Sequence, residues 1–351
     1  MIAANVKGGI GYRRAHRGAL LGPALGPDVL EIVPEHFFAD PAELDALAAR
    51  YPLVFHSVGL SVGTAVADPV GDAVTRAHLE RLRALVRRAR PLYVSDHLAF
   101  TRSPSGRDLG HLCPLPLGDE TYGLVAARVR RWQDALAVPL LLENIAHPFR
   151  WPTDTMDEPT FFKRLAEDTG CGLLLDVTNL LYDARNFHED PRALLERYPL
   201  AAVRGLHLAG GLRARDQFWI DSHDQPVDED AFALLPALRG RAPISAAIVE
   251  RDARLPPLEV LCAEARRAAT LLASPREADT DATRTARKLR PRERGRASSS
   301  VTGVSAEETE PAAREPWTRP RAVDRRCVPA RRRPAPPATR SARRPPASAA
   351  R

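Results

Sequence analysis

The sequence predicts an α/β fold, specifically a (β/α)8 TIM barrel, and three observations support this prediction. Strand-like and helix-like segments alternate from about residue 8 to residue 274, a pattern typical of a parallel sheet. The strand-like segments are continuous apolar runs, as expected of parallel strands that are buried on both faces. Eight such strands within about 265 residues match the usual size of a closed barrel.

An open, doubly wound sheet is the structural alternative. Such a sheet would usually carry a Gly-rich phosphate-binding loop between an early strand and the helix that follows it. The segment Gly8-Gly9-Ile10-Gly11 is not followed by a clear helical pattern. We therefore interpret this segment as the start of the first strand, and the barrel is the preferred prediction.

Each predicted element has a local signal. The candidate strands are short apolar runs bounded by polar or turn residues, and they lie at 9–13, 29–33, 53–56, 92–97, 140–143, 173–176, 203–207 and 246–250. The candidate helices have apolar residues at helical spacing, and they lie at 41–50, 72–90, 121–136, 160–168, 191–198, 230–238 and 258–272. Asp40 is predicted to cap the first helix, with Pro41 at its first position.

Composition divides the chain into a predicted catalytic barrel domain at 1–274 and a predicted disordered tail at 275–351. The tail holds 20 of the 51 Lys and Arg residues, 9 of the 44 Asp and Glu residues, and 11 of the 32 prolines. Such a segment cannot bury enough apolar surface to offset its ordering entropy. It could be a basic arm for acidic partners, although a dispensable extension is favoured. The barrel keeps 31 basic against 35 acidic residues, so its charge predicts no nucleic-acid partner.

Cysteine spacing and hydropathy predict a cytoplasmic protein. No two of the four cysteines have C-x-x-C spacing, which argues against a zinc ribbon and against a thioredoxin-like motif. The first residues lack the continuous apolar region of a signal peptide. No apolar stretch is long enough to span a bilayer, so we expect no membrane association.

Several predicted strands end in a side chain that can bind a metal ion. Because the carboxyl ends of parallel barrel strands open onto one face, these side chains should converge on one mouth. Six of them stand at or directly after strand ends, namely His56, His97, Glu143, Asp176, His207 and Glu250. A carboxylate after a fully apolar run is seldom buried unless it is paired or metal-bound. Taken singly, each histidine could instead be an ordinary core residue.

Three further residues complete a candidate set of nine ligands. Asn179 follows Asp176 closely and offers a neutral oxygen. Asp221 and His223 are two residues apart, so on an extended segment their side chains would share a face; the alternative is a polar loop. Glu250 could instead form an internal ion pair with Arg251. Nine ligands would serve two or three ions, and a set without cysteine suits iron or manganese better than copper(I).

The remaining histidines are weaker candidates. We expect a solvated structural role for five of them, namely His16, His78, His111, His147 and His188. Glu35 and His36 follow the second strand and are candidates to line the mouth on the substrate side.

Ten short motifs, in order within residues 5–270, resemble those of the DUF692 family. They include Leu30-Glu31-Ile32-Val33-Pro34-Glu35, Ser95-Asp96-His97-Leu98-Ala99, Leu142-Glu143-Asn144, Leu175-Asp176-Val177-Thr178-Asn179, His207-Leu208-Ala209-Gly210 and Asp221-Ser222-His223-Asp224. Members of that family are described as multinuclear non-haem iron-dependent oxidative enzymes, with the methanobactin biosynthesis iron enzyme as the best-known type. Two positions depart from the family pattern: His36 stands where Asn is usual, and Gly211 stands where His or an aromatic residue is common.

The resemblance implies a xylose isomerase-like barrel with two or three iron ions at the strand ends. Carried over to this chain, it implies metal ligands at His56, His97, Glu143, Asp176, Asn179, His207, Asp221, His223 and Glu250, with Glu143, Asp176 and His207 as catalytic residues. It also implies O2 as co-substrate and a ribosomally synthesised precursor peptide whose cysteines are modified. A small partner protein would recruit the leader of that peptide.

Two other classes of function compete with this hypothesis. A divalent-metal-dependent isomerase or phosphoesterase could use the same barrel, because a fold does not determine a reaction. A non-catalytic metal-binding accessory protein would use the same ligands without turnover. Metal identity and O2 dependence distinguish these classes from an oxidative peptide-modifying enzyme.

Overall fold

The computed structural model describes residues 6–23, 26–66, 68, 72–215 and 217–273. Its centre is a closed barrel of eight parallel strands, which confirms the predicted fold class. In chain order the strands are β1 (Lys7–Gly11), β2 (Val29–Ile32), β3 (Leu53–His56), β4 (Val94–His97), β5 (Leu140–Glu143), β6 (Gly172–Asp176), β7 (Val203–Leu208) and β8 (Ala246–Val249). Each strand pairs with its neighbours in the chain, and β1 pairs in parallel with β8 to close the barrel.

A layer of apolar side chains fills the barrel interior just below the mouth. This layer is a buried cluster separate from the main core, and it consists of Val29, Val54, Tyr93, Leu141, Leu174, Ala246 and Ile248. Alternate residues of a strand point to the same face of the sheet. A side chain two positions after a member of this layer therefore points into the barrel mouth, as Glu143 does after Leu141 and Asp176 does after Leu174.

Two glycines leave space for this interior layer. A Cβ atom at Gly9 would lie 2.4 Å from Cδ1 of Ile248, and one at Gly205 would lie 2.7 Å from the Tyr93 hydroxyl oxygen. Real Cβ atoms do not approach other atoms so closely, because interiors are close-packed. Glycine at these positions allows large side chains on neighbouring strands to fill the barrel.

Helices surround the barrel and bury their apolar faces against it. They are α1 (Arg17–Leu21), α2 (Ala42–Ala48), α3 (Ala73–Ala89), α4 (Asp119–Leu136), α5 (Glu158–Thr169), α6 (Val177–Asn186), α7 (Pro191–Arg197), α8 (Glu229–Leu234) and α9 (Leu258–Leu272). Local capping fixes several of their ends. The Asp72 side chain accepts a hydrogen bond from the Thr75 backbone N–H at the start of α3, and Arg90 ends α3 in the left-handed conformation.

Most predicted helices are present with small shifts at their ends, and α9 has the predicted bounds. The helix predicted at 41–50 is shorter, because Pro41 is the N-cap of α2 and its first helical residue is Ala42. Asp40 still accepts a hydrogen bond from the Ala42 backbone N–H, at 3.0 Å. The helix predicted at 230–238 is split into α8 and a 3-10 turn, Leu235–Leu238, with a proline at the second position of the turn.

Several elements were missing from the sequence prediction, among them α1, because the residues after Gly11 show no clear helical pattern. Helix α6 begins directly after β6 without a connecting loop, so its apolar residues read as a continuation of the strand. Two antiparallel hairpins also follow barrel strands: the first hairpin pairs Ala99–Arg102 with Asp108–Pro114, and the second pairs Leu212–Arg213 with Trp219–Ile220. Their strands have between two and seven residues, and none has the sustained apolar alternation that identifies a strand.

No helix within the described part of the chain is both long enough and apolar enough to cross a bilayer. The predicted tail at 275–351 lies outside the described residues, so its disorder and the domain boundary at residue 274 stay predictions.

We predict that Leu174→Ala lowers the free energy of unfolding by about 2–5 kcal/mol, because it leaves a cavity in the interior layer. Val260→Ala is the control: Val260 lies on α9 and is 45 % exposed, so its replacement should change the free energy by less than about 0.5 kcal/mol. Urea unfolding followed by circular dichroism measures both values. Equal effects of the two replacements would contradict this account of the barrel interior.

Candidate metal centre

The structure brings the nine predicted ligands together at one end of the barrel. His56, His97, Glu143 and Asp176 are the last residues of their strands, His207 lies in β7, and Glu250 follows β8 directly. Asn179 lies in the first turn of α6, and Asp221 and His223 lie in the loop after the second hairpin. Six of the nine, including Asn179, Asp221 and His223, line a single cavity of ≈ 580 Å³. The predicted convergence on one mouth therefore agrees with the geometry.

These side chains form three overlapping groups. Within each group, one ligand atom per residue lies within 4.8 Å of the others, and the groups are His56, His97 and Glu143; Glu143, Asp176, His207 and Glu250; and Asp176, Asp221 and His223. Glu143 belongs to the first and second groups, and Asp176 belongs to the second and third. A carboxylate has two oxygens, so each of these residues could bridge two neighbouring ions. The arrangement therefore suits a multinuclear centre better than a single ion.

The first group has the spacing of ligands around a small cation. His56 Nε2 lies 3.3 Å from His97 Nε2, and Oε2 of Glu143 lies 3.4 Å from His56 Nε2 and 3.5 Å from His97 Nε2. Ligands about 2.0–2.1 Å from a tetrahedral ion are separated by about 3.3 Å. These three atoms thus need little movement to bind one ion.

His207, like Asp176, has no exposed surface. Its Nδ1 lies 3.0 Å from Glu143 Oε1 and 2.9 Å from Glu250 Oε2. Its Nε2 lies 2.7 Å from Oε2 of Glu31 on β2. A carboxylate that accepts from one ring nitrogen fixes the tautomer and directs the other nitrogen toward a metal. Glu31 therefore orients His207, with Nδ1 facing the shared ligands.

Glu31 was absent from the predicted ligand set, although a sequence signal for it exists. It is a buried acidic residue within the apolar run of β2, which is the same signal that identified Glu143. It also stands two positions after Val29 of the interior layer, as Glu143 stands after Leu141. The sequence predicts a strand over residues 29–33, which makes Glu31 an internal position and not a strand end.

Other polar residues hold the rings of His56 and His223. Ser95 Oγ lies 3.0 Å from Nδ1 of His56, which leaves Nε2 to face the first group. Asp252 Oδ2 lies 3.0 Å from Nδ1 of His223, which leaves Nε2 to face Asp221 at 2.8 Å. Such contacts restrict ring rotation before any ion binds.

Asp176 combines a structural role with a ligand position. Its Oδ1 accepts a hydrogen bond from the Asn179 backbone N–H, at 2.8 Å, and so caps α6. Asn144 holds the same residue through two hydrogen bonds to its backbone, donating to the carbonyl at 2.9 Å and accepting from the N–H at 2.8 Å. The cap and these bonds fix the carboxylate so that Oδ2 remains available to the centre.

Unsatisfied buried oxygens show that these residues fit cations. Among the described residues, four buried oxygens of the centre lack a hydrogen-bond donor: Glu143 Oε2, Asp176 Oδ2, Asn179 Oδ1 and Asp221 Oδ1. A buried acceptor without a donor is costly, and divalent cations satisfy such atoms directly. The donor set of imidazole, carboxylate and amide oxygen is suitable for iron, manganese or zinc.

The electrostatics of the centre also favour bound cations. Burial lowers the pKa of His207. The nearby carboxylates of Glu250, Glu31 and Glu143 raise it by more than burial lowers it, so the pKa lies well above its ordinary value. Burial, together with the nearby Asp221 carboxylate, raises the pKa of Asp176 well above its ordinary value. Both groups therefore hold protons that a metal ion must displace, and metal binding should weaken as the pH falls.

Several sequence expectations about individual residues were wrong. The segment from Asp221 to His223 is not extended, because His223 has a φ of 50° in the left-handed region; the two side chains meet because the chain turns there. Arg251 does not pair with Glu250, since its guanidinium faces Glu264 at 3.5 Å. His36 lies exposed on the 3-10 turn Pro34–Phe37, so it is not enclosed in the mouth.

Three of the five histidines expected to be solvated are instead buried or nearly so. His16 has its Nε2 2.9 Å from the Pro256 carbonyl oxygen, and His78 has its Nε2 3.0 Å from Oε1 of Glu35. His147 is buried beside Asp183. Glu35, predicted to face the substrate side, lines a neighbouring cavity with His97. Loop position in the sequence does not reveal such packing, because the contacts come from distant parts of the chain.

We predict that Glu31→Gln lowers the affinity of the centre for metal by about 10–100-fold, because an amide orients His207 less strongly than a carboxylate does. Competition with a chelator, followed by metal analysis, measures this affinity. Glu80→Gln is the control: the Glu80 side chain is exposed on α3, so its replacement should leave the affinity unchanged. An unchanged affinity in Glu31→Gln would contradict an orienting role.

Solved structures similar to this chain establish the fold alone. An L-ribulose 3-epimerase superposes with a TM-score of 0.50 at 18% identity, and the match covers 83% of this chain and 100% of that chain. A xylose isomerase-like TIM barrel/4-hydroxyphenylpyruvate dioxygenase fusion protein gives a TM-score of 0.51 at 15% identity, covering 82% of this chain and 45% of that chain. The barrel is therefore of the xylose isomerase-like type.

Sequence comparison identifies the family. A UPF0276 protein of Caulobacter vibrioides is 38% identical over 263 residues, covering 73% of this chain and 90% of that protein. A UPF0276 protein of Bordetella parapertussis is 39% identical over 278 residues, covering 76% of this chain and 93% of that protein. The sequence model described as "RiPP precursor modification enzyme MbnB/TglH/ChrH" matches residues 7–273, where RiPP denotes a ribosomally synthesised and post-translationally modified peptide. The chain therefore belongs to this family, the DUF692 family.

Proposed function

We propose that this protein binds two or three iron ions at the barrel mouth and uses O2 to modify cysteine residues of a ribosomally synthesised precursor peptide. The observation that carries the proposal is the set of three overlapping ligand groups that share Glu143 and Asp176. Membership of a family of RiPP precursor modification enzymes supports the peptide as substrate. All nine predicted ligands are proposed to bind the ions, together with the orienting contacts of Glu31.

The ligand chemistry favours iron among the redox-active metals. The set contains imidazole, carboxylate and amide oxygen but no thiolate, so the substrate cysteine would supply a sulfur ligand that these nine residues do not. Bound iron would supply the oxidising chemistry with O2. The protein residues would hold the ions, direct the His207 ring through Glu31, and place the substrate thiol beside them. Glu143, Asp176 and His207 are proposed as the catalytic residues, because Glu143 and Asp176 connect the three groups and His207 Nδ1 lies 3.0 Å from Glu143 Oε1 and 2.9 Å from Glu250 Oε2.

The surface around the mouth is suited to a peptide. Leu112 of the first hairpin and Ile220 of the second hairpin both line the cavity that contains the ligands, and they are 36% and 42% exposed. Val58 lies at the neighbouring rim and is 40% exposed. Exposed apolar side chains grouped around a cavity commonly mark a binding surface. We propose that residues flanking the substrate cysteine bind between the two hairpins.

The remaining parts of the proposal concern the cellular setting. A small partner protein would recruit the leader segment of the peptide, as the family resemblance implies. The cytoplasm is the proposed compartment, and it is consistent with Cys113, Cys171 and Cys262 being free thiols.

We predict that the full chain, purified without oxygen, retains two or three iron ions and consumes O2 when it modifies a cysteine-bearing peptide encoded beside its gene. Asp176→Asn should lose at least one ion and nearly all turnover, because Asp176 belongs to two ligand groups. His188→Gln, outside the centre, is the matched control. Metal analysis, Mössbauer spectroscopy and peptide mass spectrometry provide the readouts. One zinc or magnesium ion per chain, with no O2 requirement, would instead indicate an isomerase or phosphoesterase.

We also predict that Leu112→Asp raises KM for the peptide about tenfold or more, because burial of a leucine side chain contributes about 1.5–3 kcal/mol. Iron content should not change, because Leu112 is not one of the proposed ligands and lies on a hairpin, not on a barrel strand. Val260→Asp on α9 is the control for an added surface charge. A KM equal to that of the control would argue against peptide binding at the first hairpin.

A further inference from the structure

A second buried polar cluster lies outside the barrel mouth. It consists of His147 in the loop after β5, Glu158 at the start of α5, Asp183 in α6 and Tyr198 after α7. One ligand atom from each of His147, Glu158 and Asp183 lies within 4.8 Å of the others. None of the nine predicted mouth ligands belongs to this cluster, and the proposed function does not use it.

Asp183 fixes the orientation of the His147 ring. Its Oδ1 accepts a hydrogen bond from the His147 backbone N–H at 2.7 Å, and its Oδ2 lies 2.7 Å from Nδ1 of the same residue. The carboxylate thus accepts from Nδ1–H, and Nε2 is the ring nitrogen left for another partner. Carboxylates hold metal-binding histidines in this manner.

Glu158 presents an unsatisfied oxygen to that nitrogen. Its Oε2 accepts a hydrogen bond from the Tyr198 hydroxyl, while Oε1 is buried and has no hydrogen-bond partner among the described residues. Glu158 is 8% exposed, and its Oε1 lies 3.8 Å from Nε2 of His147. When the His147 ring is neutral, Nε2 and Oε1 are both acceptors, and two acceptors that face each other in a buried site need a positive charge between them, either a proton or a metal ion.

A cavity gives access to both atoms. It has a volume of ≈ 410 Å³, and its lining includes His147, Glu158 and Asp183 together with the aromatic Phe149 and Trp151. Arg150 and Arg197 also line the cavity, but Glu189 binds both of them at its two carboxylate oxygens. The arginines are therefore already paired and do not neutralise Glu158.

We propose that His147 Nε2 and Glu158 Oε1 bind a divalent transition-metal ion, separate from the barrel mouth, with Asp183 as the residue that positions His147. The separation of 3.8 Å is about 0.5 Å wider than two ligands of a tetrahedral zinc ion require. A small rotation of the glutamate side chain closes this difference. Water or a small ligand in the cavity would complete the coordination.

Protons compete with the ion at this site. Burial lowers the pKa of His147, but Glu158 and Asp183 raise it to about 9. Burial raises the pKa of Glu158 to about 7. A histidine or a carboxylate must be deprotonated to bind a metal ion, so zinc is best added above neutral pH.

Zinc saturation of the full-length protein tests the proposal. Wild type, His147→Gln and Glu158→Gln are saturated with Zn²⁺ at pH 8.5, desalted and analysed for metal. Both replacements remain polar and are close to the native residue in size, so the fold should be retained. We expect each variant to bind one zinc ion fewer than wild type, and His188→Gln to match wild type. Equal zinc content in all four proteins would overturn the proposal.

A crystal of wild type soaked in Zn²⁺ gives a result that does not depend on the variants. We expect an anomalous-scattering peak between His147 Nε2 and Glu158 Oε1, besides any peaks at the barrel mouth. Peaks at the mouth without one at this site would show that His147 and Glu158 share a proton and form only a structural ion pair. Because the two sites have no residue in common, failure at this site leaves the proposed function intact.

Discussion

The convergence of buried carboxylates on one imidazole is the constraint on which the mouth of this barrel depends. Glu31, Glu143 and Glu250 all lie within 3.0 Å of a ring nitrogen of His207, and none of the four residues is exposed to more than a small extent. Burying several like charges is strongly unfavourable unless positive charge compensates them. The His207 imidazolium alone does not balance the three carboxylates around it, so the barrel mouth is suited to additional cations.

The interior layer makes that arrangement rigid. The strands that carry the ligands are held by a continuous parallel ladder, and the apolar layer directly below leaves no room for the ligand side chains to collapse inward. Sites built on regular elements keep their geometry better than sites on loops. By contrast, Asp221 and His223 lie on a loop in which His223 adopts the left-handed conformation. The contact between Asp252 and the His223 ring holds that ring in place of a strand.

The sequence was sufficient to predict the barrel and the convergence of the ligands, because both follow from strand periodicity. Apolar runs such as 140–143 identify buried parallel strands, and the polar residue that ends each run must face the mouth. Glu31 also faces the mouth, because it stands two positions after Val29. It was missed because it lies inside the predicted strand, whereas the predicted ligands were chosen at strand ends. Asn144 and Ser95 could not be predicted, because their roles depend on hydrogen bonds to residues on neighbouring strands. Helix α6 was missed because Asp176 ends a strand and caps a helix at once.

The order of the ligands along the chain has a consequence for biosynthesis. The first ligand is residue 56 and the last is residue 250, and β8, which precedes Glu250, also closes the barrel against β1. Local metal motifs can acquire their ion while the chain is still emerging from the ribosome. Here the complete centre exists only when nearly the whole barrel has been synthesised and closed. If the nine residues bind the ions as proposed, metal acquisition is a late maturation step, and prematurely terminated chains lack both a proposed ligand and the strand that closes the barrel.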